Sequence, residues 1–181
     1  MNGTIRFTPM RASGPLRPLA LLIATLDVAV GWALVAQIVV MVTIVSIQVV
    51  LRYLFNSSLD WADELARLCF VWSIFTAIPL GIKGGAHIGI EMLVARFPTH
   101  LRSATARLVA LLGAAMLLLV AKESAVMAWD QWDELMASMP ASAAWFIVPL
   151  GVCGVHGALH LIWQALTGAH HVDPELQAEL S

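Results

Sequence analysis

The stretch LRYLFNSSLDWADELARLCFVWS, residues 51–73, decides the fold. Apolar runs flank it on both sides, yet it gathers Arg52, Asp60, Asp63, Glu64 and Arg67 around Trp61. About 20 apolar residues suffice for a helix to cross the hydrocarbon of a bilayer. A short charged and aromatic stretch between two such runs marks where one span leaves the membrane and the next returns. Asn56-Ser57-Ser58 supplies the turn. Asp60 can cap the second helix, with Asp63 three residues on as in a capping box. Both acids also suit the positive end of the helix dipole. Asp63 and Arg67 are spaced i, i+4 and Glu64 and Arg67 i, i+3, so either acid can pair with the arginine. Tyr53 and Trp61 stand where interfacial aromatic belts sit. Capping accounts for Asp60, Trp61 and Asp63. It accounts less well for Arg52, Glu64 and Arg67, because charges at membrane depth are costly and usually pair or face protein. An internal network and simple interfacial solvation both stay open for these three.

Working outward, the 181-residue chain is 60% hydrophobic and 12% charged, with a mean hydropathy of +0.83. Soluble domains carry about twice that charge, so the chain reads as an integral protein of a lipid bilayer. Four segments are long and apolar enough to span, at residues 28–50, 64–82, 104–127 and 143–166. The first extends back to residue 19 along the membrane surface. No period-two alternation recurs, which argues against a β-barrel. The expected fold is all-α, with four transmembrane helices and short interfacial amphipathic helices. One membrane domain covers residues 19–168, between tails at 1–18 and 169–181. Arg6, Arg11 and Arg17 precede an apolar run from residue 19 to 51 that is too long for the core of a cleaved signal, so a retained helix is expected. The formal net charge of -2 gives no reason to expect a nucleic-acid partner. Cys69 and Cys153 lie in apolar runs and read as small buried hydrophobes.

Basic residues set the orientation. Arg6, Arg11, Arg17, Lys83, Arg96, Arg102 and Arg107 fall on one side. The other side holds Arg52, Arg67 and Lys122 among the acids Asp60, Asp63, Glu64, Glu123, Asp130, Asp133 and Glu134. Both termini are therefore expected in the cytoplasm.

Three further stretches carry polar groups. In GIKGGAHIGIEMLVARFP, residues 81–98, Gly81, Gly84 and Gly85 are expected to break the helix after Pro79. Residues 88–97 then suit a short amphipathic helix at the cytoplasmic interface, either an arm gripping a partner or a surface connector. His87 reads as a hydrogen-bonding residue more readily than as a ligand. In AWDQWDELMASMP, residues 128–140, Trp129 and Trp132 mark the outer interface and the acids suit a solvated loop. In PLGVCGVHGALHLIW, residues 149–163, Pro149 is expected to kink the helix. Gly151, Gly154 and Gly157 allow a neighbouring helix to approach closely. His156 and His160 share a face at i, i+4. Two imidazoles can hold a metal, but a catalytic zinc needs a third ligand, and no HExxH pattern or added carboxylate accompanies them. Interhelical hydrogen bonding is the plainer reading, and neither metal nor cofactor is expected. No Walker loop, nucleophile elbow or acid/base pair appears, so no catalytic residues are expected. With only Gln37, Thr43, Ser46 and Gln48 in the first span, the chain also lacks the discontinuous helices of a self-sufficient transport site. An accessory membrane subunit fits better.

RYLFNSSLDWADELARLCFVW followed by GIKGGAHIGIEML resembles the small membrane subunit, of DctQ type, of tripartite ATP-independent periplasmic (TRAP) transporters. The shared pattern is carried by Arg52, Tyr53, Trp61, Glu64, Leu65, Trp72, Gly84, Gly85 and His87, with adjacent acids at Asp63 and Glu64. It covers residues 49–98. After the histidine the pattern departs, with Gly89 and Glu91 where an acid or arginine is common. The resemblance implies a scaffold in the bacterial inner membrane. Its partners would be a large DctM-type subunit, which carries substrate and Na⁺ by an elevator-like motion, and a periplasmic binding protein delivering an organic acid. Arg52, Tyr53, Trp61, Asp63, Glu64, Arg67, Trp72 and His87 would then lock the subunit's helices or meet its partner. The competing reading is a membrane anchor of a respiratory oxidoreductase, using His156 or His160 near haem or quinone.

Overall fold

A computed structural model describes residues 17–83 and 99–167. Helix α1 runs Arg17–Leu54, α2 Asp60–Lys83, α3 Thr99–Asp130 and α4 Val148–Thr167, the last preceded by a 3-10 turn at Ala143–Phe146. All four helices are long and apolar enough to cross a membrane, and among the described residues there is no strand. Helix suits this composition because backbone groups in hydrocarbon must bond within their own segment.

Helix α1 is one element of 38 residues. At about 1.5 Å per residue it is roughly 57 Å long, well beyond the ~30 Å hydrocarbon core. The expected surface extension and the expected first span are therefore parts of one helix, unbroken at Asp27. Its buried residues Ala20, Ile23 and Asp27 form a single stripe at helical spacing. The helix ends where Asn56 adopts a left-handed conformation, φ 51°, which a short polar side chain tolerates. The chain turns there, and Ser57 N–H reaches the Leu51 carbonyl at 3.2 Å.

Two sequence expectations about helix breakers are corrected. Helix α2 passes through buried Pro79 and through Gly81 to Lys83. Proline removes one helical hydrogen bond, but membrane helices tolerate that loss better than they tolerate free backbone groups in hydrocarbon. Pro149 does not kink a span. It occupies the first turn of α4, where its missing N–H has no helical partner to lose. The 3-10 turn before it begins at Ser142, whose side chain accepts from Ala144 N–H at 3.1 Å. Asp60, expected as a cap, is itself the first residue of α2, with Asp63 in the same turn. The amphipathic segment at 88–97, with Gly84, Gly85 and His87, lies outside the described residues.

Helix α2 packs against α1 and α4, and α3 packs along α4. Ile82, Ala114, Ala158 and Leu161 form one buried cluster, joining α2, α3 and α4. Ala20, Ile23 and Trp163 form a second, between α1 and α4. Glycine permits the closest approach. A Cβ on Gly154 would stand 2.7 Å from the Leu117 carbonyl oxygen and 3.0 Å from Ala121 Cβ. One on Gly157 would meet Leu117 Cδ1 at 2.9 Å, the end of a flexible side chain, whereas at Gly151 the nearest atom would lie at an ordinary 3.5 Å. Of these three glycines, Gly154 is the one at which an added Cβ would come within 3.0 Å of backbone.

Candidate functional site

Among the described residues, polar groups gather in two places. The first joins the start of α2 to the connection between α3 and α4. That connection, residues 131–142, is folded back on itself. Met136 N–H bonds the Ala141 carbonyl at 2.8 Å and Ala143 N–H the Glu134 carbonyl at 2.7 Å. The turn so formed directs two backbone N–H groups at Glu64, which is buried. Ala137 N–H donates to one carboxylate oxygen at 3.0 Å. Ser138 donates to the other through its N–H at 2.8 Å and its hydroxyl at 2.5 Å. Charge-assisted bonds of this kind are the stronger sort, and they hold the acidic loop on α2. The loop's acids Asp130, Asp133 and Glu134 are exposed, as expected of a solvated loop, while its turn at Ala137 and Ser138 is held by one carboxylate of α2.

Around Glu64 the other charges are looser. Arg67 lies 3.7 Å from it and is itself well exposed, with its guanidinium 5.3 Å from the centre of the Phe146 ring. Asp63 accepts from Gln48 Nε2 of α1 at 2.9 Å instead of pairing with Arg67. Asp60, Asp63, Glu64, Arg67, Ala137 and Ser138 line a polar recess of about 300 Å³. Deeper along α2, Trp72 Nε1 donates to the Trp145 carbonyl at 3.0 Å. The Trp145 ring packs beside those of Trp72 and Trp132, at centroid distances of 6.2 and 6.4 Å. Structure therefore brings Asp63, Glu64, Arg67 and Trp72 into one linked region. Arg52 and Tyr53 stand apart on the exposed last turn of α1, Tyr53 82% exposed. Trp61, at the start of α2, is also exposed.

The second cluster lies between α1 and α4. Asp27 Oδ1 is 3.0 Å from His156 Nε2 and 2.9 Å from His160 Nε2. All three side chains are buried, and the two imidazole rings are 4.9 Å apart. Sequence reading placed the histidines on one face but missed their acid. Its only signal was a lone aspartate in an apolar run. Beside the cluster, an apolar groove of about 460 Å³ is lined by Leu26 and Val30 of α1, Ser124 of α3, and Gly151, Val155 and His156 of α4, among others. Ser124 Oγ is buried without a hydrogen-bond partner.

Four membrane-length helices and a loop latched by a carboxylate define a helical membrane protein. The DctQ component of tripartite ATP-independent periplasmic transporters matches residues 41–170. The chain belongs to that family, the small permease subunits of TRAP transporters. It is 32% identical over 77 residues to a Haemophilus influenzae protein named as a TRAP transporter small permease protein, covering 42% of this chain and 47% of that one. It is 30% identical over 98 residues to the C4-dicarboxylate TRAP transporter small permease protein DctQ of Vibrio cholerae, covering 54% and 39%. The isethionate TRAP transporter permease protein DctMQ of Oleidesulfovibrio alaskensis is 26% identical over 76 residues, which make up 39% of this chain but 12% of that protein. The matches thus span less than half the length of each of these relatives.

Proposed function

We propose that this chain is the scaffold of a Na⁺-coupled TRAP uptake system in the bacterial inner membrane, with both termini in the cytoplasm. It braces a large DctM-type subunit that carries organic acid-like solutes and Na⁺. Its outer edge, bearing Glu64 and the 131–142 loop, helps to dock a periplasmic binding protein. Family membership together with the exposure of α1 carries this reading. The most apolar stretch of α1 has no buried residue, against 44% burial for that of α4. Val35, Ile38, Val39 and Val42 remain open along it, a face free to lie against a large membrane partner. The name DctMQ, for a relative in which the matched part is only 12% of the protein, fits a small part working beside a much larger one.

The competing oxidoreductase reading finds less support. His156 and His160 lie one turn apart on a single helix and face the same Asp27 oxygen, so they cannot hold a haem from opposite sides. Reconstitution tests the proposal. Liposomes holding this chain, its large subunit and the binding protein are loaded with a Na⁺ gradient. Uptake is measured for small carboxylate and sulfonate anions, the classes named for the relatives. Na⁺-dependent uptake that needs all three components supports the scaffold. Uptake by this chain alone, or by the other two without it, refutes the scaffold.

A further inference from the structure

We infer that Asp27, His156 and His160 form a binding site for one divalent transition-metal ion, of the zinc or cobalt class, clamping the N-terminal part of α1 to α4. The inference stands apart from the transport reading and concerns only this chain. Its ground is the donor set. One carboxylate oxygen and two imidazole nitrogens lie within 4.8 Å of one another, from two helices, in a buried position. Bonds of about 2.1 Å at tetrahedral angles leave neighbouring donor atoms ~3.4 Å apart. The two oxygen–nitrogen separations are 3.0 and 2.9 Å. Seating an ion requires each of these pairs to open by about 0.5 Å, which small rotations of the three side chains supply.

The spacing of the ligands is also favourable. His156 and His160 are one helical turn apart, so both rings leave α4 on the same side. Asp27 arrives from α1 on the buried stripe of Ala20 and Ile23. It supplies the third ligand that the α4 sequence lacks. Paired imidazoles with a carboxylate suit zinc, cobalt, nickel or iron, whereas Na⁺, Mg²⁺ and Ca²⁺ prefer all-oxygen shells. This site is thus chemically distinct from one for a coupling Na⁺. Three protein ligands leave at least one coordination position for water or a small anion. The adjoining groove, which His156 lines together with Ser124, has room for one, and Ser124 Oγ offers a polar atom without another partner. Bound there, the ion would tie α1 to α4 where the Ala20, Ile23 and Trp163 cluster already packs them.

The test uses the full-length chain, purified in mild detergent with its affinity tag removed, stripped with chelator and titrated with Co²⁺. The expected result is one Co²⁺ per chain, with ligand-field absorption that Zn²⁺ abolishes. X-ray absorption at the cobalt edge should count two imidazole ligands. A His156→Gln/His160→Gln double variant, which keeps His87, His100, His170 and His171, should lose affinity by about tenfold or more. Asp27→Asn, which preserves a hydrogen-bonding oxygen, should weaken binding while the protein stays folded by circular dichroism. No Co²⁺ bound by the wild type would overturn the inference. So would Co²⁺ bound equally by the double variant, or a cobalt edge without imidazole scattering. A His170→Gln/His171→Gln variant, which spares the cluster, should keep both the Co²⁺ affinity and the two-imidazole spectrum; their loss there would overturn the inference even if the first double variant does not fold.

Discussion

Ser138 grips Glu64 with two donors, its backbone N–H at 2.8 Å and its hydroxyl at 2.5 Å, across 74 residues of sequence. With Ala137 N–H at 3.0 Å on the other oxygen, this makes Glu64 the anchor of the whole 131–142 connection. Removing the carboxylate frees the Ala137 and Ser138 amides together. In Glu64→Ala, amide hydrogen exchange at residues 137 and 138 should speed up, and the thermal midpoint in detergent should fall. Ser138→Ala, which removes only the hydroxyl donor, should show a smaller effect in the same two measurements.

Close helix contact at Gly154 gives a graded prediction. Gly154→Ala would drive a methyl group to within 2.7 Å of the Leu117 carbonyl oxygen. Because that oxygen is backbone, relief requires α3 and α4 to separate, at a cost of about 1–3 kcal/mol. Gly157→Ala meets the end of the Leu117 side chain at 2.9 Å, which can swing aside, and Gly151→Ala has room. Thermal unfolding should rank the three variants with 154 the least stable and 151 nearest to wild type.

At the aromatic layer, Trp72→Phe keeps most of the ring contact with Trp145 but removes the bond to its carbonyl, 3.0 Å long. The expected loss is about 1 kcal/mol, read from thermal unfolding. Arg52→Ala, on the exposed end of α1, should leave the isolated chain's stability unchanged. A large drop there would place Arg52 in a contact that the described bundle does not contain.

Asp27 gives a fourth prediction. Asp27→Ala leaves both Nε2 atoms without their shared acceptor, at about 1–2 kcal/mol for each lost interhelical bond. Asp27→Asn should cost less, because an amide oxygen still accepts. Fluorescence of Trp163, which packs on Ala20 and Ile23 beside the cluster, should report the loosening of α1 in the alanine variant.

These residues show what a sequence discloses and what it hides. The four spans were legible because bilayer thickness dictates the length of each apolar run. Gly151, Gly154 and Gly157 were legible as a small-residue stripe, though not which of them meets backbone. Glu64 stood out as a charge at depth, but its partners are chiefly backbone N–H groups, which leave no mark in the choice of side chain. Asp27 pairs with residues 129 and 133 positions away, a separation that no local pattern encodes. Pro149 was misread because a proline in a first turn and a proline within a span look alike without the helix boundary. The shared motif marked Arg52, Tyr53 and Trp61, yet within this chain they face outward, as residues kept for a partner or for lipid would.

Affinity purification of this chain from its native membrane in mild detergent, with mass identification of whatever accompanies it, tests the scaffold account most directly. The account predicts a large many-span membrane subunit in near equal amount, joined by a periplasmic binding protein when substrate is present. A haem- or iron–sulfur-bearing partner in its place, or a chain that comes through alone, would contradict it.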